Sequence, residues 1–246
     1  LHNYWIKAEK INAIYEKRKL HKNEIKDLIR DIKDQKINGI NVTVPFKQEV
    51  IPHLDELTEQ AKKTQSVNTI YLGDNGTIGH NTDIVGFEES LKYVKYDVRG
   101  KDVLILGGGG VVPSIIFALK NMQAQNIIIS NRTREKAENL KKIFKNIKII
   151  DWGKVPNVDM IINATSIGLN LKDRINLDYS KIKNKFFYDV IYNPSETDFL
   201  KSAKEFGNSV INGKMMFIYQ ALYAFKLWHN LNPEINEEVI RLLDND

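Results

Sequence analysis

The 246-residue chain contains no cysteine, which excludes a disulfide framework and a thiolate metal site and suits a reducing compartment. Its five histidines, His2, His21, His53, His80 and His229, show no metal-ligand spacing, and no metal is expected. Long hydrophobic runs are missing too. The longest apolar stretch, Met215 to Leu227, is broken by Gln220 and Lys226, short of the roughly 18 residues that cross a bilayer. No signal-peptide pattern is legible, so a cytoplasmic location is the expectation and no membrane partner is expected. A concentrated basic surface is also lacking. The excess of 36 Lys and Arg over 31 Asp and Glu is scattered along helix-like segments, without a stripe of interleaved aromatics. Nucleic-acid binding is therefore not expected, and the lysines read as solvated helix faces. What remains is an ordinary globular composition, 42% hydrophobic and 27% charged, with length for one large or two modest domains.

Leu1, Tyr4, Trp5 and Ala8 fall at helical spacing, as do Ile25, Leu28, Ile29 and Ile32, with Asn23 as a candidate cap. Asn12 to Tyr15 reads as a short strand and Ile37 to Val44 as a buried strand ended by Pro45. Helices are expected from about Lys47 and around Gln60, followed by strands Thr69–Leu72 and Thr77–His80 joined by the hairpin signal Gly73-Asp74-Asn75-Gly76. From about Ile84 the pattern becomes a regular alternation. Apolar runs at Val103–Leu106, Ile127–Ser130, Ile147–Ile150, Met160–Ala164 and Phe186–Ile191 are expected strands, with helices at Pro113–Met122 and Arg134–Phe144. Runs without period-two alternation, separated by helices, indicate a parallel sheet covered on both faces. Gly213 precedes a long apolar helix, and an amphipathic one follows at Ile235–Leu243.

Four glycines, Gly107 to Gly110, follow the apolar strand and lead into a helix. This is the setting of a dinucleotide turn, where glycine lets the backbone approach a pyrophosphate at a helix N-terminus. Gly107 and Gly109 match the first two positions of G-x-G-x-x-G, while Val112 occupies the third; a purely structural turn is the rival reading. The next strand ends in Asn131-Arg132-Thr133-Arg134. No acid stands there to hold a ribose 2′-hydroxyl, and two guanidiniums suit a 2′-phosphate. NADP is the expected cofactor, against the alternative of two surface arginines closing a loop.

Two polar runs end in ionisable side chains: Asn41-Val42-Thr43-Val44-Pro45-Phe46-Lys47 and Asn81-Thr82-Asp83. Reduction of a ketone by hydride needs a proton for the developing alkoxide, and an ammonium held by a carboxylate can supply it. These runs, with Ser66-Val67-Asn68-Thr69, the glycine turn, Asn131-Arg132-Thr133, Asn163-Ala164-Thr165-Ser166 and the Gly213 to Gln220 segment, occur in the order found in shikimate dehydrogenases. The chain closely resembles that family over essentially its whole length.

The resemblance implies an α/β protein of two domains, a substrate domain formed by residues 1–83 with 214–246 and a Rossmann-type NADP-binding domain over 84–213. It implies Lys47 and Asp83 as the catalytic pair, and substrate contacts from Thr43, Asn68 and Gln220. Tyr192 and Gly213 would line the cleft near the nicotinamide, with Gly107, Gly109, Gly110, Asn131, Arg132 and Thr133 on the cofactor. Each has a bland rival: Thr43 suits a strand, Asn68 a cap, Gln220 a backbone-satisfied helix residue and Tyr192 ordinary core. The activity implied is interconversion of 3-dehydroshikimate and shikimate by a monomer or homodimer. The alternatives are an NAD-dependent quinate/shikimate enzyme and a non-catalytic metabolite-binding relative. Two departures stand out. The family carries a strand and a Ser-x-Ser segment before its His-Asn pair, whereas this sequence opens at Leu1-His2-Asn3, so upstream residues are expected. Val111-Val112-Pro113 also replaces the small residues usual after the turn.

Overall fold

The structure, a computed structural model, describes residues 1–170 and 172–244; the last two residues of the expected 214–246 segment lie outside them. Helix α1 (His2–Ala8) buries Trp5 and Ile6. Helix α2 (Ile25–Lys33) buries Ile25, Leu28, Ile29 and Ile32, the stripe its spacing predicts. Strands β1 (Gly39–Asn41), β2 (Glu56–Leu57), β3 (Thr69–Gly73) and β4 (Gly76–His80) form one sheet in the order β1-β3-β4-β2. β3 and β4 are the expected hairpin, and α3 (Glu59–Thr64) lies between β2 and β3. Ile25, Ile29, Ile32, Val42, Val50, Val67 and Ile70 form the core of this unit.

Four expectations fail in this half, three of them through a local competitor. Asn12–Tyr15 is not a strand, because Asn3 satisfies the Tyr15 backbone instead: its Oδ1 accepts from Tyr15 N at 2.8 Å and its Nδ2 donates to Tyr15 O at 2.9 Å. No helix starts at Lys47. The carbonyl it would offer to residue 51 accepts from Val67 N at 2.9 Å, leaving turns and a short 3₁₀ segment, Ile51–His53. Asn23 lies inside another 3₁₀ turn, Lys22–Glu24, where Glu24 reaches back to His21 N at 2.6 Å. The strand expected over Ile37–Val44 is only Gly39–Asn41.

Helix α4 (Asp83–Tyr93) then leads to the second unit. It comprises β5 (Asp102–Leu106), α5 (Val112–Asn121), β6 (Asn126–Ser130), α6 (Arg134–Ile143), β7 (Ile147–Ile150), β8 (Met160–Asn163), β9 (Phe186–Asp189), α7 (Asp198–Glu205) and β10 (Ser209–Ile211). Its six strands are parallel in the order β10-β9-β8-β5-β6-β7. Successive residues of β5 feed opposite cores: Val103 and Ile105 pack with α4, α5 and α6, whereas Leu104 and Leu106 pack on the side of α7. Both faces are covered, hence the unbroken apolar runs. The sheet order reverses between β5 and β8, the switch point at which such sheets bind ligands.

The chain finally returns to the first unit. Helix α8 (Lys214–His229) and α9 (Glu237–Arg241) share a core with Trp5 and Ile6 of α1. Trp228 Nε1 donates to Ile70 O of β3 at 3.2 Å, and Lys214 pairs with Asp244. No helix among the described residues is long and apolar enough to cross a membrane.

Helices α4 and α8 meet at Gly86. A β-carbon there would stand 2.7 Å from Met216 O and 2.9 Å from Gln220 Cβ. In an open helix Gly→Ala stabilises by about 0.5–1 kcal/mol; here overpacking reverses the sign. Gly86→Ala should destabilise the protein by about 1–3 kcal/mol in urea unfolding, and a more stable variant would refute this account of the contact.

Candidate active site

Asp83 opens α4 directly after β4, so its carboxylate sits at a helix N-terminus, where negative charge is favoured. Its N–H donates to Asn81 Oδ1 at 3.1 Å. Lys47 is carried by the turn that follows β1, where Phe46 N donates to Thr43 O at 2.9 Å. The two side chains meet: Lys47 Nζ lies 2.5 Å from Asp83 Oδ2, with only 13% and 9% of the side chains exposed. Asn68 occupies the other carboxylate oxygen, donating to Asp83 Oδ1 at 2.8 Å. Its own Oδ1 accepts from Thr82 N at 2.7 Å and from Thr69 Oγ1 at 3.0 Å. Asn68 is therefore no helix cap; it is a buried amide that orients the carboxylate.

The glycine turn lies beside this pair. Gly107 has φ +121°, its N–H donates to Ser130 O at 2.8 Å, and a β-carbon on it would stand 2.7 Å from Ala164 O. Only glycine fits this left-handed backbone in so narrow a gap at the switch point. Ser66 Oγ donates to Gly110 O at 3.4 Å, and a β-carbon on Gly110 would lie 3.9 Å from Lys47 Cδ. The turn thus runs from the switch point to the lysine, with Gly109 between. Past the end of β6, Asn131 flanks Gly108 and donates from Nδ2 to Thr133 O at 2.7 Å. The paired guanidiniums prove unequal. Arg134 is engaged by Glu138 at 3.4 Å and Asp151 at 3.5 Å, whereas exposed Arg132 has no ionic or hydrogen-bonding partner among the described residues. A left-handed cradle closed by a backbone carbonyl, a following helix start and one uncommitted guanidinium fit a phosphorylated dinucleotide.

The remaining residues are distributed around this centre. Thr43 is exposed. Tyr192 stacks on Phe217 of α8 with centroids 4.5 Å apart. Gln220 Nε2 donates to Phe217 O at 2.9 Å, so this amide is backbone-satisfied, and neither Thr43 nor Gln220 hydrogen-bonds the Lys47–Asp83 pair. Gly213 is buried, and a β-carbon on it would stand 2.1 Å from Val190 O. It brings the start of α8 against the loop that carries Tyr192.

One functional-site neighbour is absent from the sequence expectations. Asp189, at the end of β9, is fully buried. It accepts from Thr197 Oγ1 at 2.6 Å, Asn163 Nδ2 at 3.0 Å and Ile191 N at 3.0 Å. Asn163 Oδ1 in turn accepts from Thr165 N and Oγ1, at 3.0 and 2.7 Å. This fixes the loop whose Ala164 carbonyl closes over Gly107. The signal was an acid inside a run read as strand through Ile191. Burial pushes the Asp189 carboxyl up to about 6 from 3.8, against the pull of its three donors. A carboxyl raised by folding contributes stability that is present below pH 3.8 and lost as pH rises through 6. The parent should therefore lose about 3 kcal/mol relative to Asp189→Asn across that window. Urea unfolding of both proteins over the range checks this, and parallel curves would sink it.

A parallel sheet with a glycine cradle at its switch point, beside a lysine–carboxylate pair carried by a second unit, defines a two-domain dinucleotide-dependent oxidoreductase. Family models match on both sides: a shikimate dehydrogenase substrate binding domain over residues 1–70, and shikimate / quinate 5-dehydrogenase over residues 89–196. The chain is 60% identical over 245 residues to a shikimate dehydrogenase (NADP(+)) of Pelagibacter ubique, covering 99% of this chain and 92% of that protein. Among solved structures, shikimate dehydrogenase from Aquifex aeolicus superposes with a TM-score of 0.89 at 35% identity, covering 99% of this chain and 91% of that one. A shikimate dehydrogenase in complex with NADP+ superposes with a TM-score of 0.90 at 36% identity, covering 98% and 88%. The chain belongs to the shikimate dehydrogenase family.

Proposed function

We propose that this protein reversibly reduces 3-dehydroshikimate to shikimate with NADPH. The observation that carries the reading is the Lys47–Asp83 pair, 2.5 Å apart, largely buried and alongside the glycine turn. Bound NADP(H) supplies or accepts the hydride. The chain's own residues manage the proton and the orientation of the substrate. In reduction, the Lys47 ammonium protonates the developing alkoxide; in oxidation, the same group takes the hydroxyl proton back. Asp83 holds the ammonium with one oxygen, while Asn68 holds Asp83 through the other. Substrate hydroxyls compete for these groups and for Thr43 and Gln220, and Tyr192 with Gly213 bounds the cleft. Gly107, Gly109 and Gly110 hold the diphosphate; Arg132, flanked by Asn131 and Thr133, takes the 2′-phosphate.

The domain division that goes with this reading is 1–83 with 214–246 for substrate and 84–213 for cofactor. The shared core of α1, α8 and α9 supports the first grouping, and the packing of Phe87 and Leu91 with β5 supports the boundary near 84. A cytoplasmic location and a monomeric or dimeric state complete it.

A spectrophotometric assay with shikimate and either NADP+ or NAD+ tests the reading. Turnover with a clear preference for NADP+ is expected; preference for NAD+ favours a quinate/shikimate enzyme, and no turnover with either rejects it. Lys47→Ala should lower kcat by about 10²–10⁴-fold, the span for a positioned acid or base, with NADP+ affinity little changed. A variant within a few-fold of the parent would remove Lys47 from the mechanism. Arg132→Asp should narrow the preference for NADP+ by about 2–4 kcal/mol, through loss of a charge-assisted contact and added repulsion. Competitive titration of the two cofactors measures it, and an unchanged ratio would place the 2′-phosphate elsewhere.

A further inference from the structure

Three hydrogen bonds tie the glycine turn and the first turn of α5 to the segments beside the Lys47–Asp83 pair, and they interlock. Ser114 lies in that turn with no exposed surface. A serine in a helix ordinarily returns its hydroxyl to the carbonyl four residues back, here Gly110. That carbonyl accepts instead from Ser66 Oγ, at 3.4 Å, in the loop that leads from α3 to β3. The Ser114 hydroxyl crosses in the opposite direction. It accepts from Asn81 Nδ2 at 2.9 Å and stands 3.2 Å from Asn81 Oδ1, to which it donates.

Asn81 is itself buried and fully committed. Its Nδ2 also donates to Ser66 O at 2.9 Å and Thr64 Oγ1 at 3.3 Å, while its Oδ1 accepts from Asp83 N at 3.1 Å. One end of the amide faces acceptors and the other faces the Asp83 N–H, so the amide cannot turn over without opposing like groups. Ser114 is its partner from the cofactor-side unit; the others all come from the segment 64–83. The path from the glycine turn to the carboxylate is therefore short: Gly110, the first turn of α5, Ser114, Asn81, Asp83.

We propose that Ser114 is a positioning residue for the Lys47–Asp83 pair, acting through Asn81, so that a dinucleotide seated on the glycine turn sets the geometry of the pair. The inference rests on the reaction proposed above. Without the hydroxyl, Asn81 keeps its bonds to Ser66 and Asp83, and the fold survives, but the direct bond from α5 to Asn81 is lost and only the longer contact of Ser66 Oγ with Gly110 O still crosses to the glycine turn. Shikimate and NADP+ then bind more independently than in the parent, because coupling between two sites is reciprocal and travels through the groups that join them.

The test is Ser114→Ala in the full chain, with Ser90→Ala as the control. Ser90 is another buried helix serine, bonded to Phe87 O at 2.7 Å and Tyr188 OH at 2.8 Å, away from the pair. Four readouts are expected for Ser114→Ala. NADP+ affinity measured alone stays within about twofold of the parent, while kcat for shikimate oxidation falls about tenfold, as for a slightly misplaced reacting group. The tightening of shikimate binding by NADP+ is lost, and the pH profile of kcat shifts. Ser90→Ala loses stability with kcat and pH profile retained. A Ser114→Ala enzyme with parental kcat and pH profile would overturn the proposal. Amide exchange at Asp83 in the parent gives a reading that needs neither a variant nor substrate. NADP+ should slow it, and exchange indifferent to NADP+ would equally overturn the proposal. Absence of shikimate turnover in the parent, by contrast, rejects the reaction and leaves the exchange experiment to decide the positioning role.

Discussion

The close approach of α4 and α8 at Gly86 is the contact on which the rest of the molecule depends. Helix α4 begins with the carboxylate of the ion pair and ends packed on the parallel sheet, through Phe87 and Leu91. Helix α8 begins at Gly213, wedged against Val190, and ends with Trp228 bonded to the first sheet. Each helix touches both units, and the absence of a side chain at Gly86 lets their backbones approach. Because packed helices are not continuously deformable, the spacing between glycine turn and ion pair is inherited from this crossing.

Around that frame the site is built from buried amides and carboxylates used as junctions. Asn81 and Asn163 each connect a strand end to the residues just beyond it, Asn68 ties the start of β3 to the residues that follow β4, and Asp83 and Asp189 each collect several donors. Such groups are costly to bury unless their polar atoms are met, and here the partners are one another's side chains together with backbone groups of the loops they join. The cost of burial is thereby turned into loop geometry. Asp189 shows that the balance is not free, since its carboxyl is held far above its ordinary range by desolvation. It is retained where a single acceptor reconciles two loops and a helix cap, Thr197, which also accepts from Leu200 N at 3.4 Å.

The parallel-sheet half was legible in the sequence because burial on both faces leaves long apolar runs, and Val103–Leu106, Ile127–Ser130 and Ile147–Ile150 emerge within a residue of their observed limits. The first half was less so, and for a common reason. At Tyr15 and at Lys47 the backbone is satisfied by Asn3 and by Val67, partners that no periodicity announces. The ion pair could be anticipated from its two polar runs. The buried residues that support the site were named without a role, as with Asn81, or passed over inside hydrophobic stretches, as with Ser114 beside the pair and Asp189 beneath the glycine turn. A polar residue in an apolar run marks a junction, but only the fold says which elements it joins. The inequality of Arg132 and Arg134 likewise depends on Glu138 and Asp151, acids placed by α6 and by the residue after β7.

The return of α8 to the first sheet has a consequence for synthesis. The hairpin β3–β4 leaves the ribosome long before Trp228, which lies 158 residues beyond its partner Ile70. At ~5–20 residues per second the interval is on the order of ten seconds. During it Trp5 and Ile6 lack Met215, Ile218 and Phe225, the residues that cover them in the finished protein. The parallel sheet is complete once Ile211 has emerged. The nascent chain thus carries a finished cofactor unit joined to an open, apolar N-terminal one. That places the greatest exposure to aggregation, and the greatest need for chaperone cover, in the N-terminal unit, which waits for α8.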